Sequence, residues 1–181
     1  MNDLIRRGGL RDLEGILSLE KACFPGEAWS RNVFLEDLAR PSSFYLVAEI
    51  EPRDFQDPTG EHIKQLIGYI ACATDPVHRY GHISSLAVDP DHRSQGIGGR
   101  LLDDMLALLE AQGIDCLRAE TRLSNRHVQE MFRIRGFLET EQIPRYYQNP
   151  TEAAVVMIRW PRESGFSQGQ RIPPGRHEGG G

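Results

Sequence analysis

Long hydrophobic runs are missing from this 181-residue sequence, so it predicts no membrane-spanning helix. Behind the opening Met1–Arg7 stands no apolar segment of the signal-peptide kind, and no secretory leader is expected. Cysteine is scarce. Cys23, Cys72 and Cys116 are odd in number, lie far apart and form no Cys-x-x-Cys pair, which argues against a zinc site and a disulfide framework. Each reads as a small buried hydrophobe, and a reducing, cytoplasmic setting is expected. Basic excess is lacking too. The net charge of -5 argues against a nucleic-acid binder, which carries a basic face. The sequence holds no internal repeat, no Gly-x4-Gly-Lys-Ser/Thr loop for a nucleoside triphosphate and no Gly-x-Gly-x-x-Gly dinucleotide fingerprint.

What is there suits one domain with a sizeable core: 39% of residues are hydrophobic. Leu4 to Arg7 reads as a strand, and Leu10 to Phe24 as a helix with Leu13, Ile16 and Leu17 on one face. Ser30 is the expected N-cap of a second helix, Arg31 to Arg40, which Pro41 ends. Strands follow at Phe44 to Ile50, Ile63 to Ala73 and Gly81 to Val88, with Glu51 to His62 as an exposed hairpin loop. After a helix stopped at Gly113 come a strand, Cys116 to Thr121, and a helix, Asn125 to Arg135, closed by Gly136. Phe137 to Ile143 and Ala153 to Trp160 read as the last strands, with Pro144 to Pro150 as a loop between them. Residues 161–181, rich in Gly, Pro and Arg, are expected to be a disordered tail. The order β-α-α-β-β-β-α-β-α-β-β fits a mixed α/β layer structure.

The chain is organised around Leu86 to Leu102. A short apolar run, Leu86-Ala87-Val88, stops at Asp89-Pro90, because proline cannot donate to a ladder. Arg93-Ser94-Gln95-Gly96-Ile97-Gly98-Gly99 follows and opens a helix, with Ile97, Leu101, Leu102, Met105, Leu108 and Leu109 at helical spacing. A glycine loop at a helix start presents unpaired N–H groups at the positive end of the helix dipole, an arrangement that binds anions, phosphate above all.

Arg-x-x-Gly-x-Gly, filled by Arg93, Gly96 and Gly98 after a strand ending Leu-Ala-Val-Asp-Pro, resembles the acetyl-CoA site of the GNAT superfamily of N-acetyltransferases. The likeness runs over roughly Leu4 to Trp160. Gly81-His-Ile-Ser-Ser-Leu-Ala-Val88 is similar to the central strand of N-terminal protein acetyltransferases. Glu120-Thr-Arg-Leu-Ser-Asn125 with Met131-Phe132 and Gly136-Phe137 is similar to the family's second half, and Arg145-Tyr146-Tyr147 to the peptide-binding loop of the ribosomal-protein-alanine acetyltransferases. The resemblance implies an α/β GNAT fold over residues 1–160. Its sheet would be mixed and mostly antiparallel, of about seven strands, with a central splayed parallel pair and flanking helices.

It also implies acetyl-CoA as co-substrate, without a metal, and the free α-amine of a protein N-terminus as acceptor, most like the alanine of a ribosomal protein. A monomer is expected. The diphosphate would sit on the N–H groups of Ser94, Gln95, Gly96, Ile97, Gly98 and Gly99, with Arg93 or Arg100 supplying charge. The amide-rich arm would pair with backbone at Leu86, Ala87 and Val88 like an added strand. Asn125 matches a position that contacts the cofactor, and also reads as a helix N-cap.

For chemistry, a protonated amine has no lone pair, so a base must remove a proton. Glu120 matches the proton acceptor of the ribosomal-protein-alanine enzymes; the other reading is a structural carboxylate paired with Arg118 or Arg122, its same-face neighbours. Glu27 is a reserve base or, with Trp29, part of the acceptor site, and His82 reads as an ordinary half-buried histidine. The family's Leu-Tyr is Met131-Phe132 here, and phenylalanine has no proton for the leaving thiolate. Either Tyr146, Tyr147 or water donates it, or the acid is dispensable, since a thiol of pKa about 8.5 leaves well as thiolate. Tyr146 and Tyr147 are also candidate peptide-binding residues. Acetylation of a small amine and a catalytically weak acyl-CoA-binding module are the alternatives.

Overall fold

Apolar periodicity of 3.6 and of 2 alternates along the chain, and a computed structural model, which describes residues 3–50 and 65–161, shows the elements that follow. They are β1 (Asp3–Arg7), α1 (Leu13–Cys23), α2 (Arg31–Leu38), β2 (Ser43–Ile50), β3 (Gln65–Asp75), β4 (Tyr80–Val88), α3 (Ile97–Ala111), β5 (Cys116–Arg122), α4 (Arg126–Arg133), β6 (Leu138–Gln148) and β7 (Thr151–Arg159). Short 3-10 turns at Leu10–Asp12 and Pro90–His92 precede α1 and follow β4. The expected hairpin loop at Glu51 to His62 and all but the first residue of the expected tail lie outside the described residues. Among those described, no helix is long and apolar enough to cross a membrane.

The seven strands form one sheet in the order β1-β2-β3-β4-β5-β7-β6. β4 and β5 are parallel, coupled from Tyr80↔Cys116 to Ile83↔Ala119. β1 with β2, β2 with β3, β5 with β7 and β6 with β7 are antiparallel. Contacts divide the chain into two compact units, Met1–Ala73 with Ser84–Leu108 and Thr74–Ile83 with Leu109–Gly181.

The first unit packs α1 and α2 on the strands through Leu13, Ile16, Leu17, Phe34, Tyr45, Val47, Tyr69 and Ala71. Fully burying each large side chain of such a cluster is worth about 1.5–3 kcal/mol. The apolar stripe of α1 continues at the i+7 position with Glu20, a carboxylate only 2% exposed. The second unit buries Leu117, Ala119, Phe137, Val155 and Met157, and Phe132 meets Phe137 edge to face at 4.9 Å. Helix α4 ends as the sequence requires: Gly136 takes φ +86, and the Phe137 N–H reaches back to the Phe132 carbonyl.

One expectation needs correction. β6 does not stop at Ile143; it runs through Pro144 to Gln148, so Tyr146 and Tyr147 lie on a strand rather than in a loop. The register slips between Ile143 and Tyr147, and Arg145 takes φ +54 there. β6 is an edge strand, and an edge or a bulge is where a proline without an N–H is tolerated.

The start of the chain is held by charge. Arg6 donates to Asp12 Oδ1 (2.7 Å) and to Glu49 Oε2 (2.9 Å), and the Gly9 N–H donates to Asp12 Oδ2. The two carboxylates are 5% and 3% exposed. Removing one partner of a buried pair costs about 3 kcal/mol or more because the other charge is stranded. Arg6→Met should therefore lower the urea midpoint by that equivalent with an unchanged m-value, measured by equilibrium unfolding. Burial pushes the Asp12 carboxyl up, but Arg6 and the Gly9 N–H more than undo this and hold it below the usual carboxylate range. Its contribution is therefore present above that range and is lost as pH falls below about 4.

Candidate functional site

The glycine loop has the geometry its sequence calls for. Asp89 accepts the Asp91 N–H and shapes the turn after β4. Ser94 and Gly96 then take φ +62 and +77, which swing successive N–H groups outward. Ile97, 3% exposed, anchors the first turn of α3, and the first helical bond runs from the Arg100 N–H to the Gly96 carbonyl. Among the described residues no carbonyl or side chain takes the N–H groups of Ser94, Gln95, Gly96, Ile97 or Gly98. Gly99 and Arg100 complete that turn. Nothing lies within 4 Å of where a Gly96 Cβ would stand, so its positive φ, rather than packing, calls for glycine. Five adjacent open donors at a helix start fit a diphosphate.

Strand β4 runs into this loop. An added Cβ on Gly68 would stand 3.1 Å from the Ala87 carbonyl oxygen, so that carbonyl faces β3. The Val88 carbonyl accepts from Arg93 Nε (3.1 Å) and from Cys23 Sγ (3.3 Å). Arg93, otherwise exposed, is thus tied to the strand end by Nε.

The second unit carries the carboxylate. The parallel register sets His82 of β4 opposite Arg118 of β5, and Glu120 stands two residues on, on the same face as Arg118. His82 donates Nε2–H to Glu120 Oε2 (2.6 Å), and Arg118 donates Nε–H to Oε1. The Glu120 side chain is 5% exposed and that of His82 21%. Burial pushes the Glu120 carboxyl up, but His82 and Arg118 more than offset it, leaving the group below its ordinary range and ionised at neutral pH. Each carboxylate oxygen has two acceptor sites, so one on each remains for an incoming N–H or a water. Of the two arginines expected as partners, Arg118 takes the role. Arg122 instead pairs with Glu152 (3.1 Å) and donates to the Asn149 and Pro150 carbonyls, clamping the β6–β7 turn.

Tyr147 lies under the Arg122 guanidinium at 4.3 Å, edge to face with Tyr146 at 4.9 Å. Burial first and the Glu120 charge second push the Tyr146 phenol up to about 12, so it stays protonated. Asn125 is the N-cap of α4, its side chain accepting the Val128 N–H (3.3 Å). Phe132 is 2% exposed and packs against Phe137 in the core. Glu27 is half-buried in the turn after α1, and Trp29 packs on Phe34 at 5.4 Å. Among the described residues no group of three or more His, Cys, Asp or Glu is placed to hold a metal.

Two residues of interest escape sequence reasoning. His82 looks like an ordinary strand histidine until the β4–β5 register is known. Glu20 leaves a signal, a carboxylate on an apolar stripe, yet its partners come from elements distant in sequence.

The chain is similar to known proteins. The chain is 30% identical to N-alpha-acetyltransferase 30 of Saccharomyces cerevisiae over 95 residues, 51% of this chain and 54% of that protein. It is 26% identical to an N-alpha-acetyltransferase of Sulfurisphaera tokodaii over 163 residues, 84% and 90% of the two chains. The chain thus spans about half the length of the yeast relative. The crystal structure of the ribosomal-protein-S18-alanine N-acetyltransferase from Escherichia coli superposes with a TM-score of 0.72 at 21% identity, covering 87% of this chain and 93% of that one, which is a likeness of fold. The profile of the acetyltransferase (GNAT) family matches residues 13–137, a span that takes in the open amides after β4, His82 and Glu120, and to that family the chain belongs.

Proposed function

We propose that the protein is an acetyl-CoA-dependent N-acetyltransferase acting in the cytoplasm on the free α-amine of a protein N-terminus, with the alanine of a ribosomal protein as the leading acceptor. The observation that carries the reading is a buried, ionised carboxylate with acceptor capacity left over, in a family whose relatives include N-alpha-acetyltransferases. The amides of Ser94 to Gly98 hold the diphosphate, with Arg93 beside it, and Leu86 to Val88 supply backbone for the amide-rich arm. An α-amino group has a pKa near 8, about two units below lysine, so about a tenth of it is already neutral at pH 7 and it needs less help from a base. Glu120 takes the proton as the nitrogen attacks the thioester carbon. The C–N bond forms, the C–S bond breaks and CoA leaves as thiolate. His82 and Arg118 keep their hydrogen bonds to the carboxylate throughout, and Glu120 returns the proton to solvent once the product has left. Glu27, Trp29, Tyr146 and Tyr147 contact the acceptor peptide.

Tyr146 has a limited part in the second half of the reaction. A phenol at about 12 does not surrender its proton to a thiolate whose conjugate acid has pKa about 8.5; it can only donate a hydrogen bond. Tyr146→Phe should lower kcat by roughly 3- to 10-fold, one hydrogen bond's worth, and a loss of 1000-fold in steady-state assays would make it a true acid.

The functional test is incubation of the protein with acetyl-CoA and peptides beginning Ala, Ser or Met, beside spermidine, read by mass. One acetyl gained on a peptide α-amine supports the proposal. Transfer to spermidine alone would make it a small-amine enzyme, and CoA binding without transfer to anything would make it a binding module.

A further inference from the structure

Glu20 is a buried carboxylate that acetyl transfer as described does not use. At 2% exposure it is costly to keep in a helix face otherwise apolar, since each buried ion loses several kcal/mol of hydration. Its hydrogen bonds show what it holds. Oε1 accepts the Trp29 backbone N–H (3.1 Å). Oε2 accepts the Tyr69 hydroxyl, and that hydroxyl also meets Ser85 Oγ at 2.7 Å. Cys23, three residues further on the same helix, donates Sγ–H to the Val88 carbonyl. The last turn of α1 is therefore fastened to β4 at Ser85, just before the stretch Leu86 to Val88, and at Val88, its last residue.

We propose that Glu20 is a positioning residue that couples occupancy of the acetyl-CoA strand to the conformation of the Phe24–Ser30 segment. The proposal rests on the functional reading above, in which Leu86 to Val88 receive the arm and Trp29 meets the acceptor. The chain Ser85–Tyr69–Glu20–Trp29 N–H is continuous, and its two middle members are 0% and 2% exposed. A displacement of β4 on pairing with the arm is passed along these hydrogen bonds to the peptide group of Trp29, because close-packed interiors transmit strain. Acetyl-CoA bound first thus sets the shape that the acceptor finds.

The chain has two tryptophans, so a Trp160→Phe background leaves Trp29 as the only indole. Titrating this protein with CoA should shift Trp29 emission along the binding curve. Tyr69→Phe keeps the ring and its packing but removes the link. It should bind CoA within about 2-fold of the parent, lose the emission shift, and raise the acceptor-peptide KM by roughly 5- to 10-fold at unchanged acetyl-CoA KM, about one hydrogen bond. Ser85→Ala should repeat this from the strand end, and Ser85→Thr, which keeps the hydroxyl, should restore both readouts. Trp29 emission that ignores bound CoA, or variants that keep the shift and the acceptor KM, would overturn the coupling alone. Failure of the parent to bind CoA would overturn the functional reading and the coupling with it.

Discussion

Glu120→Gln should lower kcat by roughly 10²- to 10⁴-fold, the range for loss of a positioned base, while the affinity for acetyl-CoA stays near that of the parent. The amide matches the carboxylate in shape but takes no proton. It also strands Arg118, whose side chain is 9% exposed. A buried charge without its partner costs about 3–5 kcal/mol of stability. The variant will therefore melt earlier, and its rate belongs at a temperature where CoA binding shows it folded. The pH dependence separates Glu120 from the substrate. Its carboxyl lies below the ordinary carboxylate range, so it stays ionised across pH 5–9, and its share of stability is lost only as pH falls below about 4. The parent's rise in kcat/KM should instead follow the acceptor amine and level off above about pH 8.

The second large effect separates binding from folding with opposite signs. Gly98 is the second residue of α3. Gly98→Asp removes a glycine from a helix and places a negative charge in its first turn, each worth about 0.5–1 kcal/mol in favour of the fold. The same carboxylate competes for the open amides and repels a diphosphate. Two like charges about 4 Å apart are worth about 4 kcal/mol at an effective dielectric of 20, before salt screening. CoA affinity should fall on the order of 100-fold or more while the melting temperature holds or rises. Calorimetric titration beside a thermal melt reads both. A variant that binds CoA like the parent would move the diphosphate elsewhere.

These predictions draw on parts of the molecule that differ in how far the sequence reveals them. The glycine loop is legible because its chemistry is local: strand end, turn, positive-φ residues and helix start are consecutive in Val88 to Leu101. The helix faces are legible for the same reason, as Leu13, Ile16 and Leu17 show. Strand β6 is not, because Pro144 reads as a breaker unless the strand is known to be an edge. Glu120 could be singled out by its place at a strand end, but not its true partners. Which of Arg118, Arg122 and His82 it meets depends on the register of two parallel strands and on the competing claim of Glu152 on Arg122, neither of which is written in local pattern. Glu20 shows the same limit, since Trp29, Tyr69 and Ser85 reach it from three separate segments.

The account turns on Glu120 as the base for an α-amine, and single-turnover transfer to an Ala-initiated peptide at saturating acetyl-CoA, from pH 6 to 9, addresses this most directly. The Glu120→Gln rate should lie at least 100-fold below the parent throughout, both rates rising as the acceptor amine, of pKa about 8, loses its proton. Equal rates for the two proteins across that range would contradict it.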